Sequence, residues 1–414
     1  MELPTLKIFI VAGEPSGDVL GERLIKALRQ LSERSRHSNT KVIGLNAPYQ
    51  RLMGANKIPQ QQLEFKGIGG PLMAAQGLDS LADIADLSVM GLLEILPRFF
   101  RLKKILKDTE QAILDFNPDI IITIDSPGFN LRLMKRVAHK IKARKVHYVA
   151  PTVWAWKPKR AEEFAKYYDL MLTLFPFEPD YFTKAGLDTK FVGHSVLEMP
   201  LSIKPDREKF CADHGCDTDS HFMLLMPGSR HGEVKRHLPV FGETLAQLHF
   251  LSQLKLSPII ITLPHLEETV QQIIASWPIK PIVLTKRGDY ITALSLAEAA
   301  IAASGTVTLE LAMAALPHIV AYRINPISYR LFKRMVKAPY VNLINILSDK
   351  MIVPELLQDA CECDKIAQNI LTVLSDDSVW ESQLNAFQTA LVKLQVSSGR
   401  TPSQSAAYEI LSPQ

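Results

Sequence analysis

A chain of 414 residues with 47% apolar and 22% charged side chains is globular, and its length favours two domains over a single core. A net charge of +4 is too mild to imply a nucleic-acid partner, so basic character has to be sought in local clusters. The four cysteines, Cys211, Cys216, Cys361 and Cys363, fall as C-x4-C and C-x-C; neither is a usual zinc spacing, and a reduced, cytosolic chain with free thiols is expected.

The opening MELPTLKIFIVAG has no basic segment ahead of a cleavable apolar stretch and reads as a first strand, Lys7–Ala12. Gly13-Glu14-Pro15-Ser16-Gly17-Asp18 follows it and leads into a helix. Two glycines allow close backbone approach there, and a helix start favours an anion. A tight turn capped by Ser16 or Asp18 accounts for the same residues. The spacing is not G-x-G-x-x-G, which counts against a dinucleotide fold. From Ser35 to Gln62 the pattern is poor, and a long excursion is expected before a strand near Glu64–Ile68.

Val89–Lys107 mixes large apolar residues, Phe99 and Phe100, with the cations Arg98, Arg101, Lys103, Lys104 and Lys107. It reads either as an interfacial helix, touching a membrane through Leu93, Phe99, Phe100, Arg101 and Lys103, or as an amphipathic core helix. Ile327–Lys337 is a second such stretch. No window of about 18 residues is free of charge and breakers, so no membrane span is expected.

Further short apolar runs are Ile120–Ile124, Lys145–Val149, Leu170–Leu174 and Phe191–Gly193. Asp125-Ser126-Pro127-Gly128-Phe129-Asn130 follows the first of these. A carboxylate at a strand end can take a proton from a hydroxyl, or it can cap the next helix. Trp154 and Trp156, in the loop after the second run, could line an acceptor pocket or pack in the core. Prolines and charges at Met199–Arg207 mark the best boundary.

Beyond it come Phe222–Met226, Pro258–Leu263, Pro281–Leu284, Ala299–Ala303 and His318–Tyr322. These runs are apolar without alternation, as strands buried on both faces should be, and helical stretches separate them. Two parallel sheets covered by helices follow, with ligands expected at the carboxyl ends of the strands. Met226-Pro227-Gly228-Ser229-Arg230 offers an anion cradle with a fixed charge, or else a plain turn. Ser304-Gly305-Thr306-Val307-Thr308-Leu309-Glu310 offers hydroxyls and N–H groups to a phosphate. Glu310, one turn on, could accept from ribose hydroxyls. After Asp364 only helices are expected. One half thus supplies a carboxylate and the other supplies diphosphate and ribose contacts, the division of labour that sugar transfer requires.

In their order along the chain, VAGEPSGDVLG, GGPLMAAQG, DLSVMGLLEIL, IDSPGFNLRL, VHYVAPTVWAWKPKR, FPFEPDYF, FVGH, LMPGSR, SGTVTLELAMAALPHIVAYR and VNLINIL…VPELLQ resemble the lipid-A-disaccharide synthase family over nearly the whole length. The resemblance implies an α/β GT-B fold, two Rossmann-like parallel-sheet domains facing across a cleft. It divides the chain into an acceptor domain at 1–200, a UDP-sugar domain at 201–375, and C-terminal helices at 376–414 packing back toward the first domain. It implies an inverting transferase needing no metal and no cofactor. This enzyme would join UDP-2,3-diacylglucosamine to 2,3-diacylglucosamine 1-phosphate (lipid X) as a β(1→6) disaccharide at the inner face of the cytoplasmic membrane.

On that resemblance Asp125 and Glu14 are the catalytic candidates, with Asp125 the candidate base and Glu14 the alternative. Ser16, Gly17, Asp18 and Trp154 lie toward the acceptor. Gly228, Ser229, Arg230, Ser304, Gly305, Thr306, Glu310 and Asn345 hold the UDP-sugar. A homodimer formed by exchange of C-terminal parts is compatible with the family. The chain departs from the family in the long Ser35–Gln62 segment, in Ile344 where the family's LPNLL has proline, and in GHSVLEMP for the usual GHPL-x-D. The rivals are a transferase to another lipid acceptor, a UDP-sugar 2-epimerase and a non-catalytic nucleotide-sugar binder.

Overall fold

The computed structural model describes residues 4–34, 61–87, 92–155, 157–201, 205–325, 329 and 339–412. The chain divides into two compact units: Met1–Ser195 with Leu394–Gln414, and Val196–Lys393.

Among the described residues the first unit carries seven strands, β1 Thr5–Ala12, β2 Gln62–Ile68, β3 Asp79–Ser80, β4 Ile120–Ile124, β5 Arg144–Tyr148, β6 Leu170–Thr173 and β7 Asp188–Phe191. They pair in the order β3-β2-β1-β4-β5-β6-β7, every pair parallel. The second unit carries β8 His221–Met226, β9 Leu256–Ile261, β10 Ile282–Leu284, β11 Ala299–Ala302, β12 His318–Tyr322 and β13 Glu355–Leu357. Their order is β10-β9-β8-β11-β12-β13, again all parallel. In each sheet the first strand has the second on one side and the fourth on the other. That reversal of winding is the topological switch point at which doubly wound sheets bind ligands.

The apolar runs are strands because both faces are covered. Every residue of β4 is buried. Along β8, Met223 and Leu225 enter one core layer while Phe222, Leu224 and Met226 enter the other, as the two-residue period of a strand demands. The strands that the apolar pattern missed are β3 and β13, short edge strands without a buried run. β7 lies just upstream of the expected Phe191–Gly193, because D-T-K-F alternates as an edge strand does and Gly193 turns away at φ +87°. The expected 35–62 excursion lies outside the described residues, apart from Gln61 and Gln62.

The unit boundaries fall at Ser195/Val196 and Lys393/Leu394. The Asp377–Lys393 helix, grouped from sequence with the C-terminal helices, packs within the second unit on Leu343–Ser348 and Val307–Met313. Only the last segment joins the first unit. Its Pro402–Leu411 helix starts with a Thr401/Gln404 capping box and packs on the Pro15–Arg34 helix.

Candidate active site

In the first unit Ala12 of β1 pairs with Ile124 of β4, so the loops that follow leave the sheet side by side. Their approach is close. A Cβ built on Gly13 would lie 2.2 Å from Ser126 Oγ, which is why this position is glycine. Asp125 and Ser126 both sit in the left-handed region, at φ +50° and +41°, a conformation that costs on the order of 1 kcal/mol for a residue with a Cβ. The turn is held by its neighbours. Asp125 N donates to Tyr148 O at 2.9 Å, and the buried Asn130 donates through Nδ2 to Asp125 O at 2.7 Å. Pro127 then opens the Pro127–Val137 helix, with no side-chain cap from Ser126. The Asp125 carboxylate is therefore set, half-buried, at the strand mouth on a fixed backbone. Asn130, present in the motif but given no role from sequence, is what fixes it.

In the neighbouring loop Glu14 is half-buried; Ser16 and Gly17 lie in the first turn of the Pro15–Arg34 helix, Ser16 exposed and Gly17 buried with a Cβ position only 3.2 Å from Ala12 Cβ. Asp18, expected near the acceptor, is 4% exposed and committed elsewhere. Its carboxylate accepts from Gly70 N at 2.9 Å and from Leu72 N and Met73 N at 3.0 Å. It satisfies the first N–H groups of the Pro71–Ala75 helix and ties GGPLM to the GEPSGD loop. Its role is to position that loop.

Trp154 is half-buried, edge-on to Phe177, and donates from Nε1 to Glu178 Oε1 at 3.2 Å. Glu178 also accepts from Leu174 N and Phe175 N, both at 3.1 Å, and burial pushes its carboxyl up to about 8. A single Glu in FPFEPDYF gave no sign of this anchoring. Trp156 lies outside the described residues.

In the second unit Met226 of β8 pairs with Ala302 of β11, and again two candidate loops start together. Gly228 has φ +112°, and a Cβ there would lie 2.5 Å from Glu233 Oε2. That oxygen accepts from Ser229 N at 3.1 Å and Arg230 N at 3.2 Å, while Oε1 accepts from Arg230 Nη1 at 3.1 Å and Tyr322 OH at 2.9 Å. The backbone N–H groups expected to cradle an anion are thus taken by the helix's own capping glutamate. What this loop presents to an anion is the exposed Arg230 side chain. Below it, Arg323 N donates to His237 Nε2 at 2.9 Å, so Nδ1 carries the proton and donates to Pro227 O at 2.6 Å.

At the second loop Ser304 Oγ donates to Val341 O at 2.8 Å, Gly305 has φ +150° and Thr306 is exposed. Glu310 Oε2 accepts from Tyr290 OH, and burial first, then the Glu310 charge, raises the Tyr290 phenol well above its usual range. Asn345 was expected to contact the nucleotide, but it is fully buried with its hydrogen-bonding capacity used up. Nδ2 donates to Val353 O at 2.8 Å and Glu355 Oε1 at 2.9 Å, and Oδ1 accepts from Ile352 N and Val353 N. Glu355 in turn accepts from Val341 N and Asn342 N, so this pair holds the strip that holds Ser304. Tyr322, Tyr290 and Glu355 carry no local sequence signal, because each meets its partner through the fold, whereas Glu233 at the third position of its helix is a local capping signal that the sequence reading passed over.

The Leu92–Phe116 helix contains the expected membrane residues, but the side chains of Leu93 and Phe99 lie outside the described residues. Leu102, Ile105 and Leu106 pack on the core, while Phe100 is 82% exposed and Lys103 and Lys104 are exposed beside it. Arg101 pairs with Asp86 at 2.5 Å. Of Ile327–Lys337, only Tyr329 is described. Among the described residues no helix is long and apolar enough to cross a membrane.

A family model described as lipid-A-disaccharide synthetase matches residues 8–409. A lipid-A-disaccharide synthase of Rhodospirillum centenum is 41% identical over 408 residues, which are 98% of this chain and 94% of the relative. Among solved structures, the Staphylococcus aureus MnaA–UDP co-structure superposes with a TM-score of 0.60 at 12% identity, covering 96% of this chain and 94% of that one. Acinetobacter baumannii MurG gives a TM-score of 0.51 at 14% identity, covering 98% and 99%. At such identities these structures speak to the fold alone, which is of the GT-B type.

Proposed function

The chain belongs to the lipid-A-disaccharide synthetase family, and on that premise we propose that it transfers 2,3-diacylglucosamine from UDP to the 6-hydroxyl of 2,3-diacylglucosamine 1-phosphate. The observation that carries this assignment to residues is the position of all four candidate loops at the two switch points, β1/β4 and β8/β11. Asp125 takes the hydroxyl proton as the oxygen attacks C1 of the donor. The C1–O bond to UDP breaks with its electron pair going to the diphosphate, and the new β bond has inverted configuration. General-base help of this kind contributes about 10²–10⁴-fold. Arg230 balances the charge developing on the leaving diphosphate, and Glu310 takes the ribose hydroxyls. Glu14, Ser16 and Trp154 serve the acceptor side.

Both substrates carry acyl chains, so the enzyme works as a peripheral protein at the cytoplasmic face of the inner membrane. Phe100 with Lys103 and Lys104 supports that contact. Charge reversal at Arg101, Lys103 and Lys104 should weaken binding to anionic vesicles. A homodimer built by exchange would use Leu394–Gln414, the segment that here packs on its own chain's first unit, and light scattering decides the stoichiometry.

The deciding experiment supplies UDP-2,3-diacylglucosamine and the monosaccharide 1-phosphate in detergent and measures UDP release and product mass, with Asp125→Asn in parallel. A disaccharide 1-phosphate from wild type, reduced at least about 100-fold in the variant, is expected. Isomerised UDP-sugar without acceptor, or full activity in Asp125→Asn, would overturn the assignment.

A further inference from the structure

Glu233 stands out among the buried charges, because it lies beneath a loop proposed to meet an anion. Its residue is 7% exposed, and its carboxylate receives four hydrogen bonds: two from loop N–H groups, one from the Arg230 guanidinium and one from the Tyr322 hydroxyl. A carboxylate offers about four lone-pair sites, so these donors saturate it. Tyr322 comes from the end of β12, a different strand, and burial pushes its phenol up to about 12, so it stays a donor throughout the physiological range. The Arg230 side chain is 51% exposed while its Nη1 is tied down. One negative charge set under the loop cannot itself attract a diphosphate. It can hold a flexible guanidinium in one orientation and remove the rotamer entropy that binding would otherwise cost.

We propose that Glu233 and Tyr322 are positioning residues that aim Arg230 at the diphosphate of the nucleotide, so that this loop recognises the anion through a pre-oriented guanidinium in place of a backbone cradle. The inference rests on the nucleotide role proposed for Arg230. Tyr322→Phe removes one donor to Glu233 and leaves the packing of the ring on His237. Glu233→Gln removes the charge and puts an N–H group against donors.

The test measures the Kd for UDP by calorimetry, together with donor KM and kcat, in Arg230→Ala, Tyr322→Phe, Glu233→Gln and the Arg230→Ala/Tyr322→Phe double variant. Thermal midpoints and circular dichroism confirm folding. Losing an interaction with a charged group corresponds to about tenfold or more in affinity. Arg230→Ala and Glu233→Gln should therefore weaken UDP about tenfold, and Tyr322→Phe about threefold; donor KM rises in each, and kcat falls most in Arg230→Ala, where the charge facing the leaving diphosphate is lost outright. In the Arg230→Ala background Tyr322→Phe should have no further effect, since it acts through the arginine. An equal loss from Tyr322→Phe with and without Arg230 would overturn the positioning role while leaving the nucleotide site intact. No loss of UDP affinity in Arg230→Ala would instead overturn the nucleotide role of the loop, and the positioning role with it.

Discussion

Gly13→Ala isolates the contact between the two loops of the first unit. The new Cβ would be 2.2 Å from Ser126 Oγ and 2.5 Å from Ser126 Cβ, whereas real Cβ atoms essentially never come within 3.0 Å of a neighbour. One loop must therefore move by on the order of 1 Å, and overpacking of this kind costs about 1–3 kcal/mol. Ser126 is not the far end of a flexible chain but a short side chain on a left-handed turn, so the displacement passes to Asp125. A misplacement of about 1 Å can cost about 100-fold in rate, whereas the stability loss lowers the thermal midpoint by only about 2–12 °C. The assay pairs differential scanning fluorimetry with disaccharide formation for Gly13→Ala, Ser126→Gly and the double variant. Ser126→Gly removes both clashing atoms and suits the positive φ, so the double variant should regain most of the rate. A fully active Gly13→Ala, or a double variant as slow as the single one, would refute the steric link between these loops.

Asp18→Ala leaves three N–H groups at the start of Pro71–Ala75 without their carboxylate, a loss of about 2–4 kcal/mol. Hydrogen exchange at Gly70, Leu72 and Met73 should accelerate, and unchanged protection would exclude the capping role. Asn345→Ala should lower the thermal midpoint by several degrees before it alters UDP affinity, because the side chain is occupied by Val353, Ile352 and Glu355; weaker UDP binding with unchanged stability would restore Asn345 to the nucleotide site. His147 is held down at about 3 by burial, and His194 and His318 at about 4, each against an ordinary 6.5. The unfolded chain therefore binds the extra protons, and stability that is whole above about pH 6.5 should fall as pH drops toward 4. Glu178, raised from 4.5 to about 8, acts in the opposite sense: its contribution is whole below 4.5 and is lost as pH rises through 8. Glu178→Gln should flatten the alkaline limb of the midpoint–pH curve and keep the acid limb; an unchanged alkaline limb would show that Glu178 is already ionised in the fold.

Fold class and the regions worth searching were legible in the residues alone. Ile120–Ile124 and Phe222–Met226 announce strands buried on both faces, because continuous apolar runs leave a strand no face for water. Glycine, proline and small polar residues just after four of these runs marked the loops found at the two switch points. Edge strands such as Asp79–Ser80 escaped, since a half-exposed strand of two residues has no periodicity to detect. The partners of each site residue also escaped. Whether Asp18 faces a ligand or caps a helix depends on Gly70–Met73, more than 50 residues away, and the employment of Asn345 depends on Glu355 in an edge strand. Glu233 takes three of its donors from its own loop, but its fourth, Tyr322, arrives only through the placing of β12. Local chemistry can say which side chains are able to accept or donate. Which of them are left to do so is decided by long-range pairing, because a buried polar group must be satisfied by whatever the fold sets beside it.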